Sequence, residues 1–268
     1  METARERTVV VTGSNRGIGH HVASTLVDNG YLVACLDIEG DNVELLHDET
    51  PDRVRYYECD VRDDEAVESA IADIVDHWGS IDILVNNAAV ATVASFDAKP
   101  VDELQRESDV NFFGYLRTIR AVLPHMRTNG GGIIHNVSSP TGRLGHPGLS
   151  GYAATKGAVD AFTRSLRLEL RDENISCSVM YPPTTETRMT ADFAYPAWMV
   201  TDAATVGRKL ARKVESTAAV VTPDLQTRIG IWFLGRFPSL WARLSGASVD
   251  LQSDTSEESV GGDTPPPQ

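Results

Sequence analysis

Tyr152 and Lys156 stand four residues apart in Gly151-Tyr152-Ala153-Ala154-Thr155-Lys156, and Ser139 precedes the tyrosine by thirteen positions. On a helix, residues four apart share a face, so this spacing aims a phenol and an ammonium into one space. A neighbouring positive charge favours the phenolate and lowers a tyrosine pKa that is ordinarily near ~10. A phenol tuned in that way can exchange a proton with an alcohol or a ketone near neutral pH. Tyr-x-x-x-Lys is also common on exposed helix faces, where it has no such role. The rest of the chain must therefore supply the site.

Arg7-Thr8-Val9-Val10-Val11 reads as a short buried strand. It runs into Thr12-Gly13-Ser14-Asn15-Arg16-Gly17-Ile18-Gly19 and then an amphipathic helix carrying Val22, Leu26 and Val27. A strand, a glycine-rich turn and a helix start present backbone N–H groups and the helix dipole to a pyrophosphate. The glycines allow the tight turn and close approach of the ligand, although Gly-x3-Gly-x-Gly departs from the commoner Gly-x-Gly-x2-Gly. A second buried strand, Tyr31 to Asp37, ends in a carboxylate suited to the adenosine ribose hydroxyls. Asp37 would repel a 2′-phosphate and so favours NAD over NADP. Arg16 could pair with that phosphate, but the preferred reading is a solvated loop residue.

Together these segments resemble the short-chain dehydrogenase/reductase family in its single-domain form, over roughly residues 7–190. The motifs fall in the family's order. Thr12-Gly13-x3-Gly17-Ile18-Gly19 matches the cofactor turn, and Cys59-Asp60-Val61 the strand-end acid that contacts adenine. Asn86-Asn87-Ala88-Ala89 resembles the Asn-Asn-Ala-Gly stretch after the fourth strand. Asn111, Ser139, Tyr152 and Lys156 fall on the catalytic positions. The resemblance implies that Tyr152 is the acid/base and that Ser139 holds the substrate oxygen. It implies that Lys156 lowers the Tyr152 pKa and joins Tyr152 in contacting the nicotinamide ribose. Asn111 would hold a water linking Lys156 to solvent. The cofactor set it implies is Gly13, Ser14, Asn15, Arg16, Gly17, Ile18, Gly19, Asp37, Asp60, Val61, Asn87 and Ala88, with Thr187 on the carboxamide. Two departures stand out: Ala89 replaces a glycine, and Pro182-Pro183 replaces Pro-Gly, excluding any glycine-only conformation there. Read singly, Ser139 could simply satisfy loop backbone and Asn111 its own main chain.

Buried-looking strands at 8–12, 31–37, 54–59, 81–86, 132–137, 175–180 and 218–222 alternate with helical patterns. That alternation specifies an α/β fold: a doubly wound parallel sheet of the Rossmann type, about seven strands with helices on both faces. The 268 residues suit one catalytic domain over 1–246, followed by an acidic, Pro-rich tail at 247–268 expected to be disordered. The charged opening from Met1 to Arg7 does not read as a secretory signal, and no apolar run reaches the ~18 residues of a membrane span. Cys35, Cys59 and Cys177 read as small buried hydrophobes in a reducing cytoplasm, and no metal site is expected.

A net charge of −14 argues against nucleic acid as a partner. The 24 basic residues divide into four Lys and twenty Arg, against 38 acids, a balance that fits either a high-salt habitat or a GC-rich genome. The expected function is hydride transfer between NAD(H) and a secondary alcohol or ketone. Met189, Phe193, Tyr195, Trp198 and Met199, in a substrate loop at 188–200, make that molecule hydrophobic. The alternatives are a catalytically retired NAD-binding scaffold or redox-state sensor, suggested by Ala89 and Pro183, and a nucleotide-sugar epimerase, disfavoured by the glycine spacing. A second apolar segment, 223–244, carries Leu225, Ile229, Trp232, Phe233, Phe237, Leu240, Trp241 and Leu244 at helical spacing broken by Pro238. Packing on the core or on a second subunit is the default, before a substrate lid or membrane docking. The family resemblance implies a homodimer or homotetramer.

Overall fold

The computed structural model describes residues 6–186 and 200–246. Short β-branched runs bounded by turns form β1 (Thr8–Thr12), β2 (Leu32–Asp37), β3 (Val54–Glu58), β4 (Ile83–Asn86), β5 (Gly132–Val137), β6 (Ile175–Met180) and, after a separate two-residue pair, β9 (Val220–Val221). The separate pair is β7 (Thr185–Glu186) with β8 (Thr201–Asp202). All seven strands of the main sheet run parallel in the order β3-β2-β1-β4-β5-β6-β9. This is the expected doubly wound Rossmann arrangement, with strand boundaries within two residues of those read from the sequence.

Between the strands lie α1 (Gly17–Asp28), α2 (Asp41–Glu49), α3 (Asp64–Trp78), α4 (Val101–Ser108), α5 (Gly114–Thr128), α6 (Thr141–Leu144), α7 (Ser150–Glu169) and α8 (Ala203–Ala211). They are followed by α9 (Leu225–Arg236) and α10 (Pro238–Gly246). Side-chain alternation along each strand feeds two cores. Val9 and Val11 join Leu26, Val206 and Leu210 on one face of the sheet, while Val10 joins Ile71, Ile119 and Leu166 on the other. With both faces covered, the carboxyl ends of the strands are left as the open edge. The turn after β1, Asp37, Asn87 and Ser139 all follow or end strands there.

Cys35, Cys59 and Cys177 are buried free thiols. No described helix is long and apolar enough to cross a membrane. The expected substrate loop, apart from its last residue, and the acidic tail lie outside the described residues.

Candidate active site

The glycine turn is locked in place by its neighbours. Gly13 (φ +65°) and Gly17 (φ +58°) adopt the left-handed backbone that other residues avoid. A Cβ on Gly13 would lie 2.7 Å from the Ala88 Cα, so this position also requires close backbone approach. Thr12 Oγ1 accepts the N–H groups of Asn87 (3.0 Å) and Ala88 (3.1 Å), and Asn87 Nδ2 donates to Gly13 O (2.9 Å). Ser14 is buried and its hydroxyl faces Leu36 O at 3.4 Å. Ile18 packs on the α1 side of the sheet and Gly19 is buried against Gly13 O. Asp63, Asp202 and Asp224 cap α3, α8 and α9, whereas α1 has no side-chain cap and no acid in its first turn. An uncapped helix start above a glycine turn leaves N–H groups and dipole for an anion. These residues fit a dinucleotide pyrophosphate.

Asp37 ends β2 and already accepts from Asn15 N–H (2.8 Å) and Glu39 N–H (3.2 Å), tying the turn to the second strand. Asn15 Oδ1 in turn accepts from Asn42 N–H (2.8 Å) at the start of α2. Arg16 is a solvated residue of the turn, as read, but a paired one. Its guanidinium meets Glu39 at 2.6 Å and Asp41 at 3.9 Å. Asp60 is gripped by Arg62, whose hydrogen bonds hold its carboxyl below the ordinary range. Val61 is buried against Gly114 at the start of α5.

On the other side of the open edge, α7 carries Tyr152 in its first turn and Lys156 one turn later, as the spacing requires. Lys156 is buried, and its Nζ donates to Val137 O (2.8 Å) and Tyr115 Oη (3.1 Å). It lies 5.7 Å from the Tyr152 ring centroid. Loss of hydration pushes this ammonium down to about 7, opposed by the charge of Asp160 one turn on. Burial and the nearby Tyr152 raise the Tyr115 phenol far above its usual value, so it stays neutral. Ser139 Oγ accepts from Thr141 N–H (3.2 Å), which leaves its own hydroxyl proton to donate. Asn111 sits in a π-helical turn, Asp109–Phe113, between α4 and α5. Its side chain is fully committed: Oδ1 accepts from Val90 N–H (2.7 Å), and Nδ2 donates to Val90 O (2.8 Å) and Thr155 Oγ1 (3.1 Å). It clamps the segment after β4 to α7. Thr187 lies outside the described residues.

Three features of the site carry no signal in the sequence. Tyr115 cradles Lys156, and only the fold brings a residue forty-one positions away onto it. A Cβ on Gly142 would lie 2.7 Å from the Gly157 N, so α6 reaches α7 at the lysine only through a glycine. Gly151 rests on a buried ion pair, Lys99 Nζ to Glu107 Oε1 at 2.6 Å, both side chains 0% exposed. Glu107 Oε1 also accepts Thr92 N–H (2.7 Å), while Oε2 has no partner among the described residues.

Residues 7–196 match the model of the short chain dehydrogenase family. The chain is 34% identical, over 69% of its length and 76% of the relative's, to 2-(R)-hydroxypropyl-CoM dehydrogenase of Xanthobacter autotrophicus. It is 36% identical, over 67% and 72%, to 2-dehydro-3-deoxy-L-rhamnonate dehydrogenase (NAD(+)) of a Sphingomonas species. Its fold is similar to that of the 3-ketoacyl-(acyl-carrier-protein) reductase from Brucella melitensis complexed with NADH, at a TM-score of 0.75 and 25% identity, covering 82% of this chain and 96% of that one. The chain belongs to the short-chain dehydrogenase family, oxidoreductases that act on alcohols with a nicotinamide cofactor.

Proposed function

We propose that this short-chain dehydrogenase passes a hydride between NAD(H) and a hydrophobic secondary alcohol or its ketone, with Tyr152 as the acid/base. The observation that carries the reading is Lys156: a buried ammonium with no carboxylate bonded to it among the described residues, held beneath Tyr152 and pushed down to about 7. Such a group costs stability, and its charge is placed where it favours the phenolate of Tyr152.

When bound, the nicotinamide supplies or accepts the hydride. The chain's own residues do the rest. Gly13, Ser14, Asn15, Arg16, Gly17, Ile18 and Gly19 would hold the pyrophosphate end; Asp37 the adenosine ribose; Asp60 and Val61 the adenine; Asn87 and Ala88 the floor. Ser139 donates to the substrate oxygen and keeps it beside Tyr152. Tyr152 takes the alcohol proton in oxidation and returns it in reduction. Lys156 and Tyr152 would share the nicotinamide ribose. Because the Asn111 side chain is spent on Val90 and Thr155, a water link from Lys156 to solvent falls to its main-chain carbonyl. Thr187 would take the carboxamide.

The pairing of Arg16 strengthens the preference for NAD. A 2′-phosphate would face Asp37, with Glu39 and Asp41 already paired to the guanidinium of Arg16. Like charges a few ångströms apart repel by about 1 kcal/mol or more. NAD is therefore favoured over NADP by about tenfold or more in kcat/KM, the factor that ~1.4 kcal/mol gives. Asp37→Ala narrows this gap, and a wild-type preference for NADPH would overturn the assignment. The hydrophobic substrate rests on the side chains from Met189 to Met199, outside the described residues. The proposal includes a homo-oligomer in the cytoplasm. Nicotinamide absorbance against secondary alcohols of increasing chain length, with Tyr152→Phe alongside, tests the whole reading. Equal turnover by the variant would sink the mechanism, and a preference for the most polar substrates would sink the substrate class.

A further inference from the structure

One face of α9 carries Arg228, Ile231, Trp232, Gly235 and Arg236, the i, i+3, i+4, i+7, i+8 rows of a single helical stripe. This stripe does not pack flat on the core. It walls an open groove of ≈ 500 Å³ bordered by Val220 and Thr222 at the edge strand β9, by Tyr181 after β6, and by Arg143 of α6. Arg143 stacks its guanidinium 5.8 Å from the Tyr181 ring centroid, and the Tyr181 hydroxyl is bonded to Asp160 behind it.

The charge of the lining is one-sided. Among the described residues half of the cations find a carboxylate, and Arg143, Arg228 and Arg236, which line one groove, are in the half that makes no ion pair. A guanidinium prefers carboxylate or phosphate through paired N–H bonds, so arginines without a carboxylate along one groove suit an anionic ligand. Between the two arginines of α9, about 12 Å apart along the axis at 1.5 Å per residue, the wall is apolar: Ile231 at 8% exposure and Trp232 at 68%. Gly235 leaves that wall open. A Cβ there would come no nearer than 3.8 Å to Leu144, so packing does not demand the glycine.

We infer that this groove is a binding site for an amphipathic anion, a molecule with an apolar body and a carboxylate or phosphate head. The head pairs with an arginine that lines the groove, Arg143, Arg228 or Arg236, and the body lies on Trp232 in the space left by Gly235. The inference is independent of the catalytic reading, because none of these residues belongs to the proposed chemistry.

Calorimetric titration of the full chain with octyl phosphate below its micellar range tests it. Saturable one-to-one binding is expected, at least tenfold tighter than inorganic phosphate or 1-octanol. Arg228→Glu with Arg236→Glu, exposed changes that leave the melting temperature in place, weakens binding tenfold or more. Gly235→Leu, which fills the space and adds helix propensity, does the same without lowering the melting temperature. No saturable binding, or equal affinity in both variants, overturns the site. Inorganic phosphate binding as well as octyl phosphate removes the apolar half of the assignment, and 1-octanol doing so removes the anionic half. Binding confined to vesicles of anionic phospholipid, with none to the monomer, would overturn the groove in favour of a membrane surface.

Discussion

Only four lysines occur in this chain, and two of them are buried in opposite circumstances. Lys99 lies against Glu107 at 2.6 Å with both side chains out of solvent. Lys156 has a carbonyl, a phenol and two aromatic faces around it, and its nearest coupled acid, Asp160, is bonded to Tyr181 instead. A buried charge without a hydrogen-bonded counter-ion is expensive, and the ordinary remedies are pairing or neutralisation. Lys99 takes the first, while Lys156 sits at the edge of the second, pushed down to about 7. The difference separates a cation that holds structure from one held ready for proton chemistry. The two are joined through Gly151: the ion pair lies under the start of α7, one residue before Tyr152.

The sharpest way to break this comparison is to remove each ammonium in turn. Lys156→Met is expected to lower kcat/KM by about 10²–10⁴-fold, the usual span of acid–base assistance, while leaving the melting temperature unchanged or raised. Lys99→Met is expected to do the reverse. It strands Glu107 in the core, costing about 3–5 kcal/mol in denaturant unfolding, with activity per folded molecule within a few-fold of wild type. Removing both partners, Lys99→Met with Glu107→Leu, should recover most of that stability. A Lys156→Met protein less stable than Lys99→Met would erase the distinction.

The pH dependence sharpens the same contrast. The Lys156 pKa is depressed in the folded chain, so between about 7 and its unfolded value of 10.5 the unfolded chain binds more protons. Stability then rises with pH across that window, and below about 7 both states are protonated and the full cost is present. The stability of wild type minus that of Lys156→Met, measured without cofactor, should grow from pH 7 to pH 9. A flat difference would mean that Lys156 is charged throughout.

Much of this site is legible in the amino-acid sequence alone. The seven strands are readable because each is a short β-branched run whose alternation feeds two cores, as Val9, Val10 and Val11 do. Tyr152 and Lys156 share a face because helical spacing is local. What is not legible is what depends on distance through space. Lys99 precedes Pro100, outside α4, and nothing in its spacing from Glu107 announces a buried pair. Tyr115 approaches Lys156 only once α5 and α7 flank the end of β5. Arg16 reads as a solvated loop residue because Glu39 and Asp41 come to it from beyond the next strand. The segment after Pro223 reads by default as packing on the core or on a second subunit: Ile231 is buried against Val179 and Tyr181, while Leu225, Ile229 and Trp232 are exposed on the single chain. Helical periodicity reports an apolar face but not what covers it.

Gly151 packs on the ion pair one residue before the tyrosine, and a smaller effect is expected there. A Cβ would overlap Glu107 Oε2 and lie 2.5 Å from Leu104 Cδ2. Both neighbours are in a packed layer, so Gly151→Ala must shift the first turn of α7 by a few tenths of an ångström, a strain of about 1–3 kcal/mol. A loss of roughly tenfold in kcat follows from misplacing Tyr152, while cofactor affinity, measured by calorimetry, stays near wild type. If kcat were unchanged while stability fell, the placement of Tyr152 would not depend on the packing at Gly151.

The finest test of the comparison is Tyr115→Phe. The phenol gives Lys156 its second acceptor and itself donates to Val137 O at 3.1 Å. Phenylalanine keeps the ring, including its face 5.0 Å from Nζ, and removes only the oxygen. The lost bond favours the charged lysine by about 0.5–1.5 kcal/mol, which at 1.36 kcal/mol per unit is at most about one pKa unit. Lys156 moves down, away from its unfolded value, and the pH limb of kcat/KM that requires its charge moves to lower pH by the same amount. That limb belongs to Tyr152 and Lys156 as a coupled pair. Tyr115 does not itself titrate there, since burial holds it well above 10. At pH 7 the rate should fall only a few-fold, with no comparable change in Thr92→Val, a substitution beside the Lys99–Glu107 pair. A limb displaced to higher pH would show that Tyr115 restrains the ammonium rather than supports it, and the account of Lys156 as an otherwise unassisted cation would fail.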